Sequence, residues 1–343
     1  AIFIDSFRGD RNRSPQLRSP RNLFFVFQIY YRKIGSPKKE MDISLNIPDL
    51  PNLIHYAIPF FILTLIIEII ITSKKQMASY TFKDAAASIT MGLGNVFIGL
   101  LAKAMVLGIL TLIYLNFRFF TIPFVWWAWV LVFFADDFCY YWFHRISHEN
   151  RLFWASHVVH HSSKKYNLST ALRQTWSGSF MSFIFWLPMA LLGFHPVMIL
   201  AQMSISLLYQ YWIHTELIDK LPKWFEAIFN TPSHHRVHHA TNPQYLDRNH
   251  AGILIIWDKM FGTFEPEVEK PIYGLVKNID TYNPIKIAFI EWYEMLKDVF
   301  QSKTSVANRL KYLIKPPGWK HDGTGAVSSD LRREWENKNG NNH

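Results

Sequence analysis

The chain has 343 residues, 50% hydrophobic and 16% aromatic, with a formal net charge of +10 and a mean hydropathy of +0.03. That average combines polar ends with a middle containing apolar runs near the ~20 residues a bilayer requires, which excludes an ordinary soluble domain. One cysteine, Cys139, excludes an intrachain disulfide, and there is neither a Gly-rich phosphate loop nor a basic stripe suited to nucleic acid.

Residues 1–40 carry nine Lys or Arg against three acids, and Met41 is the first methionine. The segment lacks the continuous apolar core and cleavage pattern of a signal peptide. It reads as an extension preceding a native start at "MDISLNIPDL". The region 41–135 holds the first membrane spans: 53–72 is the cleanest, and 86–116 is long enough to cross with tilt. A third, 120–143, has Trp and Tyr near its ends, as membrane interfaces favour. Lys74, Lys75 and Lys83 place the loop between the first two spans in the cytoplasm, so the third span ends there too, at His144.

A fourth apolar region, 177–213, is divided by "GFHP" at 193–196 into halves of roughly 16 residues, short for independent spans. It reads as a helical hairpin that enters and leaves on one side, which keeps His161 and His235 on the same face. His195 then lies at the turn, away from any shared site. The predicted fold is an all-α integral membrane protein, with about three transmembrane helices plus this hairpin. A cytoplasmic helical metal domain with histidine boxes occupies 136–270. Residues 271–343 supply a cytoplasmic C-terminal helix and polar tail. The amphipathic stretch 283–313 either lies along the membrane or covers the metal domain, and the last twenty-odd residues read as disordered.

Twelve of the fifteen histidines fall between 144 and 250. His144 and His148 are i and i+4, hence on one helical face. His157, His160 and His161 are i, i+3 and i+4, and His235, His238 and His239 repeat that pattern. Thr231 and Pro232 look like the N-cap and first-turn proline of the last helix. His214, where the hairpin leaves the membrane, is a ninth candidate ligand, and His234 and His250 are possible additions. A lone imidazole usually has a structural role, and His55, His321 and His343 are read that way. Three clusters at membrane boundaries are a different matter. Eight or nine imidazoles exceed what one metal needs and suit two metals with open positions. No cysteine is near, unlike many structural zinc sites.

Among the acids, Asp137, Tyr141 and His144 share a face, so Asp137 is expected to orient His144 or a neighbour through a ring N–H. Glu149 follows His148 directly, and Asn249 precedes His250; both are catalytic or supporting candidates. Glu68, inside the first span, has no evident partner.

The order HxxxH, HxxHH, HxxHH between apolar segments resembles the fatty acid hydroxylase/sterol desaturase superfamily, integral-membrane di-iron oxygenases. The resemblance covers about residues 85–265 and rests on "YYWFHRISHE" and "HHRVHHATNPQYLDRNHAGILIIWDKMFGTFEP". "HHSSKKYNLSTALRQ" (160–174) and "WIHTE" (212–216) resemble its tetrahydropterin-dependent branch that cleaves ether lipids, whereas "IKPPGW" (314–319) resembles bacterial-type members.

The resemblance implies His144, His148, His157, His160, His161, His235, His238 and His239 as ligands of two iron ions, with His214 completing the set. Zinc is an alternative occupant in a purified sample. It also implies a functional role for Glu149, O2 as co-substrate, a membrane lipid substrate and an external electron donor, with tetrahydropterin a candidate reductant. The expected location is a cytoplasmic membrane of bacterial type, with the metal site on its cytoplasmic side and no nucleic-acid partner. Hydroxylation of an ether lipid, and hydroxylation or desaturation of a sterol or fatty acid, both fit. The competing class is a membrane metal-binding or transport protein without redox chemistry, whose ligands would favour the bilayer midplane. A zinc metalloprotease is excluded because no HExxH occurs.

Overall fold

A computed structural model describes residues 53–301 and 303–339. The basic segment 1–40, Met41 and His343 lie outside the described residues, as does the side chain of His55. Helices dominate. Among the described residues there is no strand, only isolated bridges joining Phe229 to Leu254 and Ala240 to Tyr273.

Two helices, α1 (Leu53–Lys74) and α2 (Phe82–Phe117), are long and apolar enough to cross a membrane. Their outward side chains, including Phe97 and Leu100, remain exposed. An apolar surface this continuous suits lipid rather than water. At 36 residues, α2 spans about 54 Å, against a hydrocarbon core of about 30 Å. The excess lets its first turn serve the metal domain: Asp84 accepts from Arg173 at 3.0 Å and from Ser163 at 2.5 Å.

The residues of the third predicted span lie largely in α3 (Trp126–Glu149), which is not one of the two helices long and apolar enough to cross a membrane. Trp126, Val130, Leu131 and Phe134 near its start are exposed, but Asp136, Asp137, Tyr141 and His144 are buried in protein. One helix thus leaves an apolar environment and becomes a wall of the site. It turns at Asn150, whose side chain caps α4 (Arg151–His161) by accepting from the Leu152 N–H at 3.1 Å. A short α5 (Leu168–Ala171) follows.

The region 177–213 folds back on itself. Its first arm is broken into α6 (Gly178–Ser182), a 3₁₀ turn (Phe183–Trp186) and α7 (Leu187–Leu192); its second is α8 (Pro196–Trp212). Gly193 reverses the chain at φ +104°, where a Cβ would also strike the Phe120 carbonyl. His195 caps α8 by accepting from the Val197 N–H at 3.2 Å, and its ring lies 5.2 Å from both Tyr114 and Phe124. Both arms share a core with α2 and α3 that includes Leu110, Val132, Trp186, Met198 and Ile199.

Two short helices, α9 (Lys223–Ile228) and α10 (Pro232–His238), lead to a 3₁₀ turn (Pro243–Tyr245) and α11 (Ile256–Phe261). The amphipathic stretch forms α12 (Pro284–Gln301) and α13 (Val306–Ile314), which cover the metal domain. Ile287 and Ala288 pack with Met91 and Val159, while Arg151 pairs with Glu291 at 2.8 Å and Asp298 at 2.6 Å. The expectation of a disordered C-terminal end is corrected by α14 (Ser328–Asn339). It docks on the Pro243–Tyr245 turn, where Arg332 donates to the Leu246 carbonyl at 2.5 Å. Its polar composition concealed a helix held by a tertiary contact. His321 also has a partner, the Tyr312 hydroxyl at 2.7 Å.

Candidate metal centre

All nine histidines predicted as ligands converge, and they sort into two buried groups. His144, His148, His157, His161 and His238 form one, and His160, His214, His235 and His239 the other; within each, the candidate ligand atoms lie within 4.8 Å of one another. The groups do not follow the sequence clusters. His157 and His161 share one face of α4, whereas His160 points to the second group; α10 likewise divides His238 from His235 and His239.

Nε2 atoms face one another across both groups. In the first, His144–His157 is 3.0 Å, His157–His161 3.1 Å and His161–His238 3.1 Å. In the second, His160–His214 is 3.1 Å, His214–His235 3.0 Å and His235–His239 3.2 Å. Nitrogens placed ~2.1 Å from one ion and at right angles about it are ~3 Å apart, so these spacings fit the edges of a coordination polyhedron.

The outer ring nitrogens fix the chemistry. Nδ1 of His144 donates to the His250 carbonyl (2.8 Å), that of His238 to Arg248 (2.9 Å), that of His214 to Gln210 (2.7 Å) and that of His160 to Arg173 (3.3 Å). A carbonyl only accepts, so each of these Nδ1 atoms carries the proton and each neutral ring directs an Nε2 lone pair inward. His160 and His214 therefore meet lone pair to lone pair, an arrangement that favours a cation between them. Burial, with added repulsion from neighbouring imidazoles, holds His144, His157, His161, His214, His235, His238 and His239 well below the usual imidazole pKa. Burial takes His160 down to about 4, partly opposed by its bond to the Arg173 carbonyl. All eight are neutral donors at pH 7. The donor set fits one metal ion per group, and the buried imidazoles are consistent with iron binding.

The remaining candidates stand outside. His234 is buried against Phe264, with ring centroids 5.4 Å apart, and joins neither group. The His250 ring donates to the Asp247 carbonyl at 3.2 Å; its contribution to the first group is the backbone carbonyl holding His144. Asp137 does not meet His144, which corrects the expectation. It accepts from the N–H groups of Ile253 (2.7 Å) and Leu254 (3.0 Å) and from Trp257 Nε1 (2.9 Å), fixing the loop beyond His250. Gly252 permits this closeness, since a Cβ there would lie 2.9 Å from Asp137 Oδ1. Glu149 pairs with Arg145 at 2.9 Å on the exposed rim and is no ligand here. Asn249, at φ 56°, clamps the loop by donating to the carbonyls of His234 (3.0 Å) and Glu265 (2.8 Å).

Two contributors, Asp258 and Tyr166, escaped the sequence reading, as did the partners of Glu68. Asp258 accepts from the N–H groups of His250 (2.7 Å) and Ala251 (2.8 Å) and from the Thr263 hydroxyl (2.7 Å). Burial raises its pKa to about 6, against those hydrogen bonds. A lone acid in "ILIIWDKMF" was the available signal. Tyr166 stacks on His214 with ring centroids 5.7 Å apart. Glu68 does have partners: it accepts from the hydroxyls of Tyr80 and Thr215 and from the Leu168 N–H at 2.7 Å, fastening α1 beside His214.

Two membrane-length helices and a buried double group of imidazoles are consistent with an integral-membrane, iron-binding protein, and residues 129–263 match the fatty acid hydroxylase family model. Over 278 residues, 80% of this chain, it is 42% identical to alkylglycerol monooxygenase of Danio rerio and 41% identical to that of Homo sapiens. It spans 61% of the length of each of those relatives. Ornithine lipid hydroxylase OlsE of Rhizobium tropici is 28% identical over 129 residues, 37% of this chain and 39% of that protein. No solved structure matches the chain.

Proposed function

We propose that this protein is a membrane-bound di-iron monooxygenase that hydroxylates a lipid C–H bond, with an alkylglycerol ether as the substrate class to test first. The observation that carries the reading is the pair of inward-facing imidazole groups, above all the opposed lone pairs of His160 and His214. Similarity to alkylglycerol monooxygenases supports the substrate choice.

Iron bound in the two groups would supply O2 activation. The overall reaction inserts one oxygen atom into the C–H bond and releases the other as water, consuming two electrons and two protons from an external donor, with tetrahydropterin one candidate. At a carbon beside an ether oxygen, the product is a hemiacetal that falls apart to an aldehyde and an alcohol. The chain itself orients and excludes. Backbone carbonyls at His250, Arg248, Gln210 and Arg173 lock the imidazole tautomers. Asp137 and Asp258 hold the 250–258 loop, while α12 and α13 pack on α4. We place the site at the cytoplasmic face of the membrane, following the lysines between α1 and α2.

The test is turnover by the iron-loaded protein in lipid bilayers, given O2, reduced pterin and a labelled alkylglycerol. Aldehyde release that requires iron and O2 supports the ether reading. Hydroxylated or desaturated acyl or sterol products under the same conditions would move the substrate to another branch of the superfamily. Reversible iron binding with no lipid modified under any reductant would leave a metal-binding or transport protein.

A further inference from the structure

α12 is apolar on two sides. Ile287, Ala288 and Met295 are buried in the protein. On another side Ile285, Phe289, Tyr293, Leu296 and Phe300, spaced i, i+4, i+8, i+11 and i+15, form one stripe about 80° wide. All five are exposed, Phe300 at 72% and Leu296 at 45%. α13 repeats the pattern, with Val306, Leu310 and Ile314 exposed and Tyr312 buried. Eight such side chains on two adjoining helices make the kind of surface that marks a protein or membrane contact. The stripe is continuous with the exposed apolar face of α2. Phe289 meets the Trp176 ring edge-on, with centroids 6.1 Å apart. Trp176 in turn donates from Nε1 to the Met91 carbonyl at 3.1 Å, in a notch that the missing Cβ of Gly94 leaves open. Leu93, Phe97 and Leu101 of α2 are exposed beside it. Counted back from Phe117, ~20 residues of helix fill the ~30 Å hydrocarbon core and end near residue 97. Gly94 lies just beyond, so Phe289 reaches α2 at headgroup depth. Between 301 and 315 the chain has Lys303, Arg309, Lys311 and Lys315 and no acid.

Resting on the membrane placement above, and on none of the oxygen chemistry, we propose that α12 and α13 form a platform in the plane of the bilayer. Its outward stripe sinks among the acyl chains, and its basic residues meet anionic headgroups of the same leaflet. An apolar stripe flanked by Lys and Arg fits that boundary. A second copy of this chain or a soluble partner would also cover the stripe, but neither accounts for its continuity with α2 or for its level at the end of the hydrocarbon. The platform is fastened to the start of α4. The Lys315 carbonyl accepts from the Arg151 N–H at 3.0 Å, and the Arg151 side chain pairs with Glu291 and Asp298. α4 carries His157, His160 and His161, so lipid contact fixes the height of that helix over the leaflet from which a lipid substrate arrives.

The experiment uses the full chain in bilayers of equal parts phosphatidylcholine and phosphatidylglycerol. A nitroxide is attached in turn at Leu100→Cys, Leu296→Cys and Leu310→Cys, each with Cys139→Ser. Electron paramagnetic resonance compares its collisions with O2, which concentrates in hydrocarbon, and with a water-soluble nickel chelate. Oxygen should dominate at all three positions. Adding Lys303→Gln, Lys311→Gln and Lys315→Gln together should raise nickel collisions at position 310 several-fold; unchanged collisions overturn the anionic headgroups as partner. Nickel access at position 100 overturns the membrane placement and the platform with it. Hydrocarbon at 100 with nickel access at 296 and 310 overturns the platform alone. Shielding of 296 and 310 from both reagents means that protein covers the stripe, which overturns lipid as the occupant. The unsubstituted protein gives an independent reading. Hydroxyl radicals made in the water should oxidise Tyr293 several-fold less than Tyr282, which is also exposed. Equal oxidation of the two overturns the platform whether or not a labelled variant folds.

Discussion

His160 and His144 have the same ring and much the same burial, yet they belong to different groups, so their removal should be separable. His144→Ala takes a donor from the first group and His160→Ala from the second. Each should cost about half the bound iron, because imidazole ligands and the bonds orienting them act locally. His234→Ala and Glu149→Ala should retain full iron, since neither side chain reaches a group. Iron per polypeptide in purified, folded protein measures this; complete loss from either ligand variant would instead mean one shared site. The candidate ligands were legible in the sequence because i, i+4 spacing is visible there. What holds them was not. The outer nitrogens rest on the carbonyls of His250, Arg248, Gln210 and Arg173, and a carbonyl carries no residue-type signature. Asp137 was therefore credited with a task that the His250 backbone performs. Its own three bonds predict that Asp137→Leu, which strands two N–H groups and an indole, loses roughly 1–3 kcal/mol per stranded donor, seen as a lower unfolding temperature.

Helices were predictable where they are apolar throughout and misjudged where they change environment. α1 and α2 follow from hydropathy alone. α3 does not, because one helix presents exposed aromatics near its start and buried Asp136, Asp137 and His144 further on. α14 escaped because its order comes from a contact 86 residues away in sequence, Arg332 with Leu246. The attachment of α1 is similarly invisible in sequence. Glu68 joins α1 to Tyr80, to Leu168 at the start of α5 and to Thr215 beside a candidate ligand. Glu68→Leu leaves those donors without their shared acceptor, at about 1–3 kcal/mol each. Glu68→Gln keeps one acceptor oxygen and should lose less. Unfolding temperature ranks the two variants, and iron content reports whether the His214 group loosens when α1 does. Equal stability of wild type and the Leu variant would show that α1 is held by its apolar surface alone.

At the scale of the whole molecule, crowding this many neutral imidazoles into one buried site ties folding to pH. His144, His157, His161, His214, His235, His238, His239 and His250 are all held well below the ordinary value by burial, and His160 and His234 sit at about 4. In the unfolded chain each has a pKa of about 6.5. Below that pH the unfolded chain takes up protons that the folded one refuses, so stability is fully present above pH ~6.5 and falls as pH drops toward the folded values. Each histidine contributes a slope of up to about 1.4 kcal/mol per pH unit, and several acting together exhaust the ~5–15 kcal/mol of a typical domain within one or two units. The metal-free protein should therefore lose cooperative unfolding of its histidine domain between about pH 6.5 and pH 5. α1 and α2 carry none of these groups and should remain helical, leaving substantial circular dichroism after the site has opened. Bound iron competes with protons for the same lone pairs, so loading should shift the transition to lower pH and acid should release the metal as the domain opens. Thermal unfolding with and without iron, measured from pH 7.5 to pH 5, checks this. An unfolding temperature of the metal-free protein that stays level across that range would mean the imidazoles are not held neutral against solvent.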